Sequence, residues 1–175
     1  ISTFRDHDKN RLIGNDISWG EFTKNDKFFL NWLITFAKKY QIQIDVLGRY
    51  SLSKNDKEYI YFKNFFKNYK FSYIDNYKNR DTYGILDNYN FAFTIDSTLG
   101  IECLSRGGRV GFFCNRLNKI PIISRKFGWM ENFKDKGPFW TYKNSYNEFE
   151  RIFKKVVFSK KSEWESITKK YKEKL

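Results

Sequence analysis

The sequence predicts an α/β chain, a doubly wound parallel sheet with helices on both faces. Two observations carry that prediction. Strand-like and helical patterns alternate almost throughout the 175 residues, and such alternation calls for a parallel sheet covered by helices. Near the middle, five strand-like residues, Asn90-Phe91-Ala92-Phe93-Thr94, run through Ile95 into Asp96-Ser97-Thr98, where a helical pattern begins. Gly107-Gly108 ends that helix, and Arg109 to Phe113 reads as the next buried strand. Right-handed crossovers then fix the general architecture.

The elements follow in order. Ile1 to Phe4 read as a strand already under way, which points to a piece of a longer chain. Arg5 to Thr23 read as a polar loop. Asn25-Asp26 is placed to cap a helix reaching Tyr40, because Phe28, Phe29, Trp32, Leu33 and Phe36 recur at helical spacing. Ile42 to Leu47 reads as a strand closed by Gly48-Arg49. A helix from Ser53 or Asn55 to Tyr69 turns Tyr59, Phe62, Phe65 and Phe66 inward, and Phe71 to Ile74 is a short strand. Thr82 to Asn88 is a short helix or turn. Ile120 to Ile123 reads as a further strand, Phe127 to Lys143 as an aromatic loop, and 144–158 and 162–175 as two helices. Ser145-Tyr146-Asn147-Glu148 fits a capping box. The whole of 1–175 reads as a single domain, without internal repeat, low-complexity segment or linker.

Composition narrows the function classes. No apolar run approaches the ~18 residues of a membrane span. Cys103 and Cys114 are too few for a disulfide scaffold and read as reduced, buried thiols. One histidine, His7, leaves no convincing metal cluster. The net charge is +13, from 33 Lys and Arg against 20 Asp and Glu. Charge of that size suits nucleic acid or an anionic membrane, but the lysines are spread along the chain. The 21% aromatic content suggests a core built of Phe and Tyr before it suggests base stacking.

The candidate site follows from topology. In a doubly wound sheet all strand carboxyl ends face one edge, where ligands bind. A helix starting there presents free backbone N–H groups and partial positive charge. Ser97 and Thr98 add hydroxyl donors that suit a phosphate, or one of them simply caps the helix. Glu102 lies four residues after Thr98, on the same helix face, and suits ribose hydroxyls. Arg5, Arg49, Ser51, Asn115 and Arg116 also follow strand ends, and arginine offers a bidentate fork to phosphate. Trp129 and Trp140 form either a platform for a base or sugar ring or a cover that seals the core. G-x-G-x-x-G and G-x-x-x-x-G-K-[ST] fingerprints are absent from the sequence.

The run Thr94-Ile95-Asp96-Ser97-Thr98-Leu99-Gly100-Ile101-Glu102, followed by Ser105-Arg106-Gly107-Gly108-Arg109-Val110, resembles the donor-binding half of GT-B glycosyltransferases of bacterial surface-carbohydrate and capsule biosynthesis. Phe127-Gly128-Trp129 with Gly137-Pro138-Phe139-Trp140-Thr141 looks like a later loop of such proteins. The matches cover about half the chain, from Arg80 to Thr141. The resemblance implies a Rossmann-like half of a two-domain enzyme that binds a nucleotide sugar, without a metal or other cofactor. By it, Ser97 and Thr98 hold phosphate and Glu102 holds the nucleotide or ribose; the position after strand ends adds Arg5 and Arg49 as further phosphate ligands. The acceptor would be a glycan or a lipid-linked one, and the place cytoplasmic, peripheral to an anionic inner membrane. The catalytic base of such enzymes usually lies in the other half, so no catalytic residue is assigned. Two alternatives stay open: a basic nucleic-acid-binding module, and another nucleotide or polyol-phosphate transferase of similar topology.

Overall fold

The computed structural model describes residues 1–4, 8–13, 17–49, 56–75, 81–116 and 133–172. The chain divides into two compact units, Ile1–Thr82 and Tyr83–Leu175. The class is the expected one, helices with parallel sheets, and each unit carries a small parallel sheet.

The first unit opens with an antiparallel pair, β1 (Leu12–Ile13) and β2 (Ile17–Ser18), and helix α1 (Trp19–Thr23). The polar-loop expectation for Arg5 to Thr23 is corrected here. Ser18 starts α1 with a complete capping box: its Oγ accepts from Glu21 N–H at 3.2 Å and Glu21 Oε2 accepts from Ser18 N–H at 3.5 Å. Helix α2 (Asp26–Tyr40) lies where its apolar spacing put it and buries Phe29, Leu30, Phe36 and Ala37. Strand β3 (Ile44–Leu47) pairs in parallel with β4 (Phe71–Ile74), and α3 (Asp56–Phe65) connects them. Phe62 and Phe66 are buried on the sheet side of that crossover, and Phe66 meets Phe71 with ring centroids 5.1 Å apart. Residues 1–4 form no strand; Ser2 N–H bonds to Leu47 O of β3 at 2.9 Å.

The second unit begins with α4 (Thr82–Asp87) and holds a three-stranded parallel sheet in the order β5 (Ala92–Thr94), β6 (Val110–Phe113), β7 (Trp140–Thr141). Helix α5 (Thr98–Ser105) joins β5 to β6. Helices α6 (Tyr146–Phe158) and α7 (Lys161–Lys172) follow. Successive strand residues point to opposite faces, and the packing obeys that alternation. Phe93 stacks on Phe153 and Phe113 meets Phe149, both of α6, at 5.2 and 4.6 Å between centroids. Thr94 and Phe112, one residue on, meet α5 instead: a Cβ on Gly100 would lie 2.8 Å from Thr94 Cγ2 and 2.9 Å from Phe112 Cε1. Helices therefore cover both faces of this sheet, and glycine at 100 lets α5 approach β5 and β6 closely.

The Gly107-Gly108 stop has a definite geometry. Gly107 sits at φ 96°, Gly107 N–H bonds to Leu104 O at 3.0 Å and Gly108 N–H to Cys103 O at 2.9 Å, a Schellman ending. Two expectations are corrected. Trp140 and Thr141, taken as loop, pair in parallel with Phe112 and Phe113; two residues are too short a strand to show a period. Ser145 makes no side-chain cap to α6, and the Glu148 carboxylate, the other member of the expected box, bonds to Arg151 at 2.8 Å.

Candidate functional site at the carboxyl end of β5

The turn from β5 into α5 is built by backbone bonds. Ser97 is extended, at φ −76° and ψ 128°. Its N–H donates to Oγ1 of buried Thr94 at 3.3 Å, and its carbonyl accepts from Gly100 N–H at 3.0 Å. The Ser97 hydroxyl makes no cap bond to α5. A serine that caps a helix accepts from one of the first-turn N–H groups, and that bond is not formed here. Ser97 is half-buried, while Thr98 and Glu102 are exposed on one face of α5.

Arg116, expected among ligand groups at the sheet edge, pairs with Asp96 of the turn. Arg116 Nη1 donates to Asp96 Oδ1 at 3.2 Å and Oδ2 at 3.0 Å, and both side chains are fully buried. The pair fastens the segment after β5 to the segment after β6. Cys114 and Asn115 are buried beside it. Burial, with the Asp96 charge as a lesser cause, pushes the Cys114 thiol well above its ordinary range. Burial likewise raises Cys103, and both cysteines are free thiols, as composition implied.

Glu102 has a specific neighbourhood. Tyr83, from α4, donates its hydroxyl to Glu102 Oε2 at 2.9 Å, and that bond raises the Tyr83 hydroxyl above its ordinary range. Arg106 lies four residues after Glu102, the spacing at which a glutamate and an arginine pair along a helix. Yet Arg106 ion-pairs with Asp87 of α4 and rests its guanidinium over the Tyr83 ring, 5.1 Å from the centroid.

The other expected residues are placed as follows. Arg49 is exposed just after β3, in the first unit. Arg5, His7, Ser51, Trp129 and the strand expected at Ile120 to Ile123 lie outside the described residues. Trp140 is 2% exposed, stacks on Phe133 at 5.0 Å and donates Nε1–H to Lys134 O at 2.8 Å. It packs also against Phe139 and Tyr171, so of its two expectations burial supports the one that seals the core.

One cluster escaped the sequence reading. Glu58, on α3, is fully buried and accepts from Tyr73 O–H at 2.7 Å, Ser2 O–H, and Arg49 N–H at 3.1 Å. These partners come from the carboxyl ends of β3 and β4 and from the first residues. Glu58 precedes buried Phe62 by four and Phe66 by eight residues, so its place on the inward stripe was the available signal. Gly48 lies against the same tyrosine, where a Cβ would come within 2.1 Å of Tyr73 Oη.

Among the described residues no three His, Cys, Asp or Glu are grouped to hold a metal ion, and no helix is long and apolar enough to cross a membrane. No curated protein and no solved structure matches the chain. A family model described as "putative O-antigen biosynthesis protein" matches residues 4–175. The match spans nearly the whole sequence, and the chain belongs to that O-antigen biosynthesis family.

Proposed function

We propose that this chain binds the nucleotide-sugar donor of a GT-B-type, metal-independent glycosyltransferase in O-antigen assembly, with phosphate at Ser97 and Thr98 and ribose at Glu102. The observation that carries this reading is the turn itself. Three residues past the end of a parallel strand two hydroxyl residues follow one another, the first of them not spent on capping, and a helix begins there with a carboxylate one turn further along the same face. Helix N-termini favour anions through their free N–H groups and partial positive charge.

Glycosyl transfer breaks the bond between the sugar's anomeric carbon and the phosphate oxygen, and forms one from that carbon to an acceptor oxygen. The nucleoside diphosphate leaves with added negative charge. The N-terminus of α5 and the hydroxyls of Ser97 and Thr98 are fixed donors suited to that charge, which is the kind of preorganised stabilisation that lowers a barrier. The Asp96–Arg116 pair holds the turn in place from behind. The acceptor's proton needs a base, and this reading assigns that role to no residue.

The first unit, taken by itself, carries a basic surface. Lys24, Lys27, Lys38 and Lys39 are exposed on and beside α2, and Phe28 is exposed among them. Lysines with an exposed aromatic suit an anionic membrane surface, where a lipid-linked glycan acceptor resides. The same charge would serve nucleic acid, but it leaves the turn and Glu102 without a role.

The experiment is a thermal-shift panel with CMP, UDP, GDP, ADP and a short DNA at low and moderate salt. A salt-tolerant shift by one nucleotide, lost in Glu102→Ala, is the expected result. A shift by DNA alone that vanishes with salt would replace the donor reading with a nucleic-acid one.

A further inference from the structure

Glu102 and Arg106 stand at the helical spacing, and in the order, that favours an ion pair within α5. The fold does not make that pair. Asp87 of α4 takes the Arg106 guanidinium, and among the described residues Glu102 receives only the neutral hydroxyl of Tyr83, at Oε2. All four side chains are exposed, so the arrangement is not imposed by burial. Its effect is chemical. A carboxylate paired with arginine has its acceptor sites filled and its charge neutralised. A carboxylate oriented by one tyrosine hydroxyl at Oε2 leaves Oε1 to accept from a ligand.

We infer that Tyr83 and Asp87 are positioning residues that hold Glu102 ready to accept the 2′- and 3′-hydroxyls of a ribonucleotide. Asp87 acts by drawing Arg106 away, and Tyr83 acts by fixing the carboxylate's orientation. Two vicinal hydroxyls donating to one carboxylate define the ligand class: a ribonucleoside diphosphate in preference to its 2′,3′-dideoxy form. This inference rests on the donor-binding reading of the same site, and it assigns roles to two α4 residues that touch no phosphate.

The test is titration calorimetry with UDP, CDP, GDP and ADP, then with the 2′,3′-dideoxy form of the tightest binder, and with inorganic pyrophosphate. Asp87→Asn frees Arg106 to pair with Glu102 and is expected to weaken the nucleotide about tenfold, the scale of one charge-assisted hydrogen bond. Pyrophosphate binding stays unchanged. Adding Arg106→Gln to Asp87→Asn removes the competing cation and restores nucleotide affinity; Asp87→Glu keeps it throughout. Tyr83→Phe weakens the nucleotide severalfold and narrows its advantage over the dideoxy form. A merely structural role for Asp87 would not be rescued by a second substitution at the residue it pairs with.

Nucleotide binding that ignores Asp87→Asn, or that the double variant fails to restore, overturns the inference and leaves the donor reading standing. Equal affinity for the ribo and dideoxy forms overturns it too. Binding of pyrophosphate but of no nucleotide overturns the ribose assignment and this inference with it while leaving a phosphate site, and binding of neither removes the donor reading and this inference together.

Discussion

Arg116 reaches back across the sheet edge to Asp96 with one nitrogen on both carboxylate oxygens, at 3.0 and 3.2 Å, and neither side chain meets solvent. This bond ties the segment that follows β6 to the turn that starts α5. It adds a buried ion pair to the bonds Ser97 N–H to Thr94 Oγ1 and Gly100 N–H to Ser97 O that shape the turn.

Removing either partner strands a buried charge. Arg116→Met is expected to cost about 3–5 kcal/mol, the usual penalty for breaking a buried pair. Equilibrium urea unfolding measures it, and a variant as stable as the parent contradicts the role given to the pair.

Ser97 separates capping from ligand binding. A capping serine replaced by alanine costs about 1 kcal/mol. Because the Ser97 hydroxyl makes no cap bond, Ser97→Ala should move stability by less than about 0.5 kcal/mol, the scale of an ordinary surface change. Nucleotide affinity should fall severalfold in the same protein. Unfolding and calorimetry on one preparation give both numbers, and a large stability loss with unchanged affinity would restore the capping role.

Gly100 sets the approach of α5 to the sheet. An added methyl would stand 2.8 Å from Thr94 Cγ2 and 2.9 Å from Phe112 Cε1, inside contact distance. Gly100→Ala is expected to lose about 1–3 kcal/mol through overpacking, and to displace the N-terminus of α5 enough to weaken the nucleotide. Melting temperature and affinity should fall together; a stabilised variant would contradict this packing.

Glu148 makes stability depend on pH. Its bond to Arg151, with lesser help from Lys136 and Lys143, holds its carboxyl below the ordinary value against a smaller upward push from burial. A carboxyl lowered by folding adds stability above its unfolded pKa and loses it as pH falls through the folded one. Glu148→Gln should therefore cost about 1 kcal/mol at neutral pH, and the gap should close as pH falls below the usual carboxylate range of about 4. A gap that stays constant down to pH 2 would show that the charge is not its source.

The parts of the fold legible in the sequence were those with a strong period or a special residue. Helix α2 begins at Asp26 and ends at Tyr40 as its Phe and Trp spacing required, and Gly107 ends α5 because its positive φ suits glycine. The run from Ala92 to Phe113 was legible because strand, turn, helix and stop follow one another within twenty-odd residues. What escaped was decided by tertiary pairing. Trp140 and Thr141 become a strand only because Phe112 and Phe113 lie beside them. At the site, the places of Ser97, Thr98 and Glu102 followed from spacing along one helix. The diversion of Arg106 to Asp87, and of Arg116 to Asp96, did not, because both partners lie 19 or 20 residues away in sequence and on a different element. The Glu58 cluster was hidden for the same reason, since its donors Ser2, Arg49 and Tyr73 meet only in the folded unit.

The basic surface on α2 leads to a separate expectation. Pelleting with vesicles containing anionic phospholipid should retain the protein at low salt and release it as salt rises, since such attraction is screened within a Debye length of about 10 Å at 0.1 M. Replacing Lys27, Lys38 and Lys39 with glutamine should weaken retention more than replacing Lys160, Lys161 and Lys169. Equal effects of the two sets would mean that net charge alone, and not this surface, governs adsorption.

Donor binding at Glu102 is measured by calorimetric titration of the protein with UDP, CDP, GDP and ADP at moderate salt, repeated on Glu102→Ala. The account predicts binding of one ribonucleotide class that tolerates salt and weakens about tenfold or more without Glu102, the scale of hydrogen bonds to a charged group. Absence of binding by every nucleotide, or an affinity that Glu102→Ala leaves untouched, would contradict it.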